Sequence, residues 1–91
     1  MIPATILCNA IEAFGVEAQL DMAVEECSEL INAICKLRRG RNTNEDVITE
    51  IADVAIMAEQ LTIIFGSDKV EAEKRRKLLR LEERINKHNK K

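Results

Sequence analysis

Apolar residues recur at three- and four-residue steps through most of this chain, which is the periodicity of amphipathic α-helices. The pattern is interrupted at Gly15, Gly40 and Gly66, and glycine is the residue that most often follows a helix C-terminus. We therefore predict an all-α fold built from four helices. Their expected ranges are about 3–14, 16–39, 44–65 and 68–88.

The second and third predicted helices are joined by a short turn, at about 40–43. Thr43 is followed three residues later by Asp46, a spacing that resembles a capping box with Asp in place of Glu. A short connection between two long helices favours an antiparallel hairpin, and the first and fourth helices flank it. We expect Ser67 or Asp68 to cap the fourth helix.

The distribution of apolar residues predicts an assembly of several chains. One face of the second helix is formed by Leu20, Ala23, Val24, Cys27, Leu30, Ile31 and Ile34. The third helix is apolar on nearly every side from Ile51 to Phe65, and a helix of that kind is buried all round. A chain of 91 residues cannot cover it, so we expect a homo-oligomer, dimer or tetramer, with a core of the four-helix-bundle type.

Length and composition favour one domain, residues 1–91, with a core at 3–66 and a charged C-terminal helix at 68–88. There is no Trp or Tyr and only two Phe, and we expect both, Phe14 and Phe65, to lie in the core. Residues 1–67 carry 4 basic and 11 acidic side chains, a net charge of −7, whereas residues 68–91 carry 10 basic and 5 acidic, or +5. An acidic body disfavours direct nucleic-acid binding and suits the collection of cations.

Cysteine usage and hydropathy predict a cytoplasmic protein. The three cysteines cannot all pair within one chain, so we expect free thiols acting as small hydrophobes in a reducing compartment. No apolar stretch is long enough for a membrane span, and we expect neither a signal peptide nor a membrane partner. A zinc site is not expected, because the chain has one histidine and no pair of cysteines at CxxC spacing.

Two pairs of carboxylates carry the candidate chemistry. Glu26 and Glu29 are three residues apart on the second helix, and Glu50 and Asp53 repeat that spacing on the third. At about 1.5 Å per residue, Glu29 and Asp53 lie roughly 16 and 14 Å from the turn, so the pairs can face each other. Such groups point to solvent, pair with Lys or Arg, or bind a hard cation. The residues alone leave these three outcomes open, and for a cation they favour Mg²⁺, with Mn²⁺ as a substitute.

The same residues belong to a longer pattern. Glu25-Glu26-x-x-Glu29 is followed after twenty residues by Glu50-x-x-Asp53, with Gln19-Leu20 before it, Lys36 and Arg39-Gly40 between, and an apolar helix after. This arrangement, over about residues 10–66, resembles the MazG-like all-α nucleoside triphosphate pyrophosphohydrolases. The fourth helix is similar to the extension of small single-domain members of phage and bacterial type.

The resemblance implies a Mg²⁺-dependent enzyme that cleaves a nucleoside triphosphate, with ribose or deoxyribose, to the monophosphate and pyrophosphate in nucleotide-pool house-cleaning. It implies metal ligation by Glu26, Glu29, Glu50 and Asp53, with Glu25 either supporting these ligands from behind or acting as a general base. Lys36 would contact a phosphate, and Gln19 would hydrogen-bond the base or ribose, whereas we interpret Arg39 and Arg41 as turn residues at the negative end of the helix dipole. The alternative reading is a non-enzymatic, homo-oligomeric helical interaction module that docks through its basic tail.

Overall fold

A computed structural model describes residues 3–90 of the chain as helices joined by very short connections. The four helices are α1 (Ala4–Phe14), α2 (Val16–Arg38), α3 (Asn44–Phe65) and α4 (Ser67–Asn89). No strand occurs within this described part. The predicted all-α class is confirmed, and all four predicted ranges agree with the structure to within one residue at each end.

The turn between α2 and α3 is defined by local hydrogen bonds. Gly40 has a φ of 69°, its N–H donates to the Leu37 carbonyl at 3.0 Å, and the Arg41 N–H donates to the Lys36 carbonyl at 2.9 Å. This pair of bonds forms a Schellman motif. Glycine adopts the positive φ that the motif requires with less strain than other residues. On the other side, the backbone N–H of Thr43 donates to Asp46 Oδ2 at 2.9 Å, while Thr43 Oγ1 accepts from the Asp46 N–H. The predicted capping box is therefore present, and it begins α3 directly after the turn.

Helices α2 and α3 form the main packed unit. Ala23 and Ala33 of α2 are buried, as is Met57 of α3, and α1 contributes Leu7. Helices with small residues at the contact can approach closely, which brings the side chains bordering the contact together as well. Two polar residues share this interior: the amide of Gln19 donates a hydrogen bond to the amide oxygen of Gln60 on α3.

Much of the predicted apolar face of α2 is open in the single chain. Val24 is 68% exposed and Ile31 is 64% exposed, and Cys27 and Ile34 are exposed as well. The apolar arc of α2 is wider than its contact with α3, and the contact lies on the side of the two alanines. The three cysteines are free, as expected, but exposed rather than acting as core hydrophobes.

The phenylalanines also differ from expectation, since Phe14 is 68% exposed and Phe65 is 63% exposed. Each lies at the last position of its helix, next to a glycine. Ile51 and Ile56 of α3 are exposed too. One chain therefore leaves much of α3 uncovered, as predicted from its composition, whereas the oligomeric bundle itself remains a prediction.

Helix α4 departs from the rest of the fold. Every described residue from Glu71 to Lys90 is exposed, and the radius of gyration of 16.3 Å exceeds the roughly 12 Å of a compact domain of this length. Its N-cap is Gly66, without a side-chain cap, so the expected cap at Ser67 or Asp68 is wrong. The helix starts one residue earlier because a single residue connects it to α3. None of the described helices combines the length and apolarity needed to cross a membrane.

Candidate functional site

Three of the predicted carboxylates come together across the α2–α3 hairpin. One carboxylate oxygen from each of Glu26, Glu29 and Glu50 lies within 4.8 Å of the other two. Two of these residues are neighbours on one face of α2 because they are three positions apart, and the third comes from α3. The hairpin thus assembles groups that are more than twenty residues apart in the chain.

The environment of these carboxylates disfavours their charged form. Burial raises the pKa of Glu26 above its ordinary value, and the negative charges of Glu29, Asp53 and Glu50 raise it further. Burial likewise raises the pKa of Glu50, followed by the charges of Glu29 and Asp53. Asp53 lies outside the group within 4.8 Å, yet its charge acts on both residues. All four predicted carboxylates therefore belong to one electrostatic cluster.

The cluster contains polar atoms without partners. Within the described residues, Oε2 of Glu26 and Oε2 of Glu50 are buried and accept no hydrogen bond. A buried acceptor without a partner is unfavourable, and more so when it is charged. The two residues themselves are half-buried, so a ligand can reach them from solvent.

A cleft of about 390 Å³ begins at this cluster and runs to the α2–α3 turn. Its walls carry acidic groups at one end, where Glu29 and Glu50 lie, and basic groups at the other, where Lys36 and Arg41 lie. The remaining lining residues are Asn32, Ala33, Asn42, Asp46 and Thr49. The cleft therefore offers a cation-attracting end beside an anion-attracting end.

Two lining residues were not predicted from the sequence. Arg41 was interpreted as a turn residue, but the Schellman motif at Gly40 places it on the cleft wall. Asn42 donates from Nδ2 to the Ala33 carbonyl at 3.1 Å, and its Oδ1 is buried without a partner in the described chain. The sequence signal for both residues is their position directly after the helix-ending Gly40, because such a turn folds back over the last helical turn.

The other predicted site residues have different positions. Lys36 is exposed on the cleft wall, at its basic end. Glu25 is exposed on α2 and is not one of the three grouped carboxylates. Gln19 is buried and hydrogen-bonded to Gln60, about two helical turns before Glu26, and it does not line the cleft.

Comparison with known proteins adds no relative to this picture: no family model matches the chain, and neither a curated protein nor a solved structure matches it.

Proposed function

We propose that this chain is a Mg²⁺-dependent nucleoside triphosphate pyrophosphohydrolase of the MazG-like type, acting in the cytoplasm as a homo-oligomer. The proposal is carried by one observation, the grouping of Glu26, Glu29 and Glu50 across two helices with buried, unpartnered carboxylate oxygens. The motif spacing that includes Asp53 supports it. The adjacent cleft with basic residues supplies the second half of a site for a phosphorylated compound.

The donor set fits a hard divalent cation. It consists of carboxylate oxygens only, and such oxygens suit Mg²⁺ and Mn²⁺ rather than zinc, which prefers nitrogen and sulfur. No Lys or Arg of the described chain forms an ion pair with these carboxylates. A cation would thus satisfy the two unpartnered oxygens and offset both the desolvation and the repulsion that raise the pKa of Glu26 and Glu50.

In this proposal Glu26, Glu29, Glu50 and Asp53 hold the metal, which when bound polarises a phosphate and lowers the pKa of a bound water. Lys36 and Arg41 attract the negative charge of the triphosphate towards the turn end of the cleft. The cleft volume of about 390 Å³ falls in the range of small-molecule sites, about 300–1,000 Å³. Glu25, exposed at the edge of the cluster, is the candidate base for accepting a proton from the attacking water.

Direct assay of the full chain tests the proposal. Purified protein is incubated with Mg²⁺ and each of the common ribo- and deoxyribonucleoside triphosphates, and pyrophosphate and monophosphate are quantified separately from inorganic phosphate. We expect equal amounts of pyrophosphate and monophosphate. Glu29→Gln and Glu50→Gln should each lower the rate by at least about 100-fold, because even groups behind a metal's direct ligands contribute 10–100-fold.

Glu59→Gln is the matched control, since Glu59 is exposed on α3 and is not part of the grouped carboxylates. This variant should keep the wild-type rate. Calorimetric titration with Mg²⁺ alone should show binding to wild type and to Glu59→Gln, with loss of binding in Glu50→Gln. Turnover that survives both site substitutions contradicts the site. Absence of turnover with every nucleotide, together with absence of Mg²⁺ binding, identifies the chain instead as a non-enzymatic interaction module.

A further inference from the structure

The outer side of α2 carries an apolar seam that the single chain leaves open. Its members alternate at steps of four and three residues, which is the heptad spacing of helices that pack on other helices. They are Leu20, Val24, Cys27, Ile31 and Ile34. All are exposed except Leu20, which is half-buried. At 100° per residue, Glu29 lies on the opposite side of α2 from this seam and Glu26 lies about 120° from its middle, so a helix packed there leaves the carboxylates accessible.

Helix α4 carries a second open seam of the same spacing. Leu78, Leu81 and Ile85 are 61%, 47% and 50% exposed, and they follow one another at steps of three and four residues. Residues of α4 alone surround the seam, since the hollow around Leu78 is lined only by α4 side chains. An exposed apolar row of this length on a helix otherwise rich in charge indicates a packing surface.

The two seams are flanked by opposite charges. Acidic residues border the α2 seam, among them Glu17 and Asp21, and no basic residue occurs on α2 before Lys36. One side of the α4 seam is basic, with Lys77 and Arg84 seven positions apart, while Arg75 and Glu82 lie beside Leu78 on the other side. Residues 1–67 carry a net charge of −7 and residues 68–91 carry +5. Pairing two copies of the same seam would therefore bring like charges together, whereas pairing the α2 seam with the α4 seam brings opposite charges together.

The two seams of one chain do not meet. In the described part of the chain, α4 packs against α3 only at its beginning and makes no contact with α2. The single residue Gly66 between α3 and α4 leaves little length for α4 to fold back. A partner for either seam must then come from another molecule.

We propose that α4 is a docking arm: its seam, Leu78, Leu81 and Ile85, packs on the α2 seam of a second copy of this chain. Two copies that exchange their arms form a closed, two-fold assembly in which each contact occurs twice. Both seams become covered, and Lys77 and Arg84 lie against the acidic side of the partner copy's α2. This pairing specifies the homo-oligomer of the proposed function, and it does not depend on the proposed enzymatic activity.

Adjacent leucines of α4 provide a matched apolar test. Leu78 belongs to the seam, whereas Leu79, 63% exposed, lies about 100° away on the helix. In sedimentation equilibrium on the full chain, Leu78→Gln should weaken self-association by at least about 100-fold, because each dimer loses two buried leucines. Leu79→Gln should associate like wild type. Ile31→Gln on the α2 seam should weaken association as Leu78→Gln does, and circular dichroism checks that each variant stays helical.

Charge exchange between the two seams tests the direction of the pairing. Lys77→Glu with Arg84→Glu makes the α4 flank acidic, and Asp21→Lys with Ser28→Lys makes the α2 flank basic. Neither double variant should self-associate at low salt, but an equimolar mixture should form a mixed dimer. Arg80→Glu with Lys87→Glu, which changes the same charge on the opposite side of α4, is the control and should associate like wild type.

Four outcomes overturn the proposal. They are a wild-type chain that stays monomeric, a loss of association in Leu79→Gln equal to that in Leu78→Gln, an unaffected Ile31→Gln variant, and association that strengthens with added salt. The last would indicate pairing between like-charged seams, α4 with α4 or α2 with α2, because screening relieves repulsion. Association that weakens with added salt supports the exchange of arms.

Discussion

The α2–α3 hairpin and α4 are built from helices of nearly equal length, 22 or 23 residues, but they hold their structure in different ways. The hairpin buries Ala23, Ala33 and Met57 and contains the carboxylate cluster. Helix α4 buries no side chain, and it is lined by ion pairs between neighbouring turns, Glu71 with Lys74 and Glu73 with Arg76. Folding of the hairpin is thus a tertiary event, whereas α4 relies on local interactions.

This difference in packing decides where a binding or catalytic site can form. Exposed charges three residues apart on α4 are solvated and contribute little beyond the helix itself. On the hairpin, close packing of two helices groups the half-buried Glu26 and Glu50 with the exposed Glu29, and desolvation and mutual repulsion raise the pKa of Glu26 and Glu50. The same residue type therefore marks an ordinary surface in one region and a candidate site in the other.

The largest expected contrast in stability comes from Met57 in the hairpin and Leu79 on α4. Met57→Ala removes one of the few buried apolar side chains and should lower the free energy of unfolding by about 2–5 kcal/mol, a large part of the total for a small domain. Leu79→Ala should change it by less than about 0.5 kcal/mol, since Leu79 is exposed and surface substitutions have small effects. Urea unfolding at one fixed protein concentration measures both.

Equal losses in these two variants would contradict the comparison. A large loss for Leu79→Ala would mean that α4 packs on something through that residue. A negligible loss for Met57→Ala would mean that the hairpin core contributes little, and that stability depends on assembly between chains.

Much of the fold could be predicted from the residues because its signals are local. Gly15, Gly40 and Gly66 mark helix ends, and the Thr43–Asp46 pair marks a helix start. Which face of α2 packs against α3 could not be predicted in the same way. Its apolar residues span a wide arc, and the face that packs on α3 is defined by two small alanines rather than by the larger Val24 and Ile31.

The candidate site was predictable to a similar extent. The three grouped carboxylates follow from spacing on two antiparallel helices, because heights along a helix can be counted from the turn. Arg41 on the cleft wall could not be predicted so, since its direction depends on the backbone of the turn. Gln19 depends on its contact with Gln60, forty-one positions away, which no local pattern indicates.

The next effect concerns the Gln19–Gln60 pair, a buried polar contact of a kind that α4 lacks because α4 buries no side chain. Gln19→Leu leaves the buried Gln60 amide without its partner and should cost about 1–3 kcal/mol of unfolding free energy. The double variant Gln19→Leu with Gln60→Leu should recover most of that loss, because two apolar groups can replace a hydrogen-bonded pair at little cost. Urea unfolding of the two single variants and the double variant gives the coupling directly.

Additive losses in that cycle would mean that the two amides act independently. In that case the hydrogen bond to Gln60 does not offset the free-energy cost of burying the Gln19 amide. A role for Gln19 in substrate binding is tested with the same variants, because it predicts a changed KM in Gln19→Leu that the double variant does not restore.

The smallest expected effect separates the carboxylates of the hairpin from those of α4 by their response to pH. Burial and neighbouring charge raise the pKa of Glu50 above its ordinary value of 4.5, so the folded state binds its proton more tightly than the unfolded state. That contribution to stability is complete below pH 4.5 and is lost as pH rises through the raised pKa of the folded state. Without metal, Glu50→Gln should therefore be more stable than wild type at pH 7 and should flatten the decline of melting temperature with pH. Glu82→Gln on α4 should follow wild type throughout.

Addition of Mg²⁺ should raise the melting temperature of wild type and leave Glu50→Gln unchanged, since only binding to the folded state stabilises it. A melting temperature of Glu50→Gln below that of wild type in EDTA would show that the cluster stabilises the hairpin by itself, and that its carboxylates do not repel one another as their positions indicate.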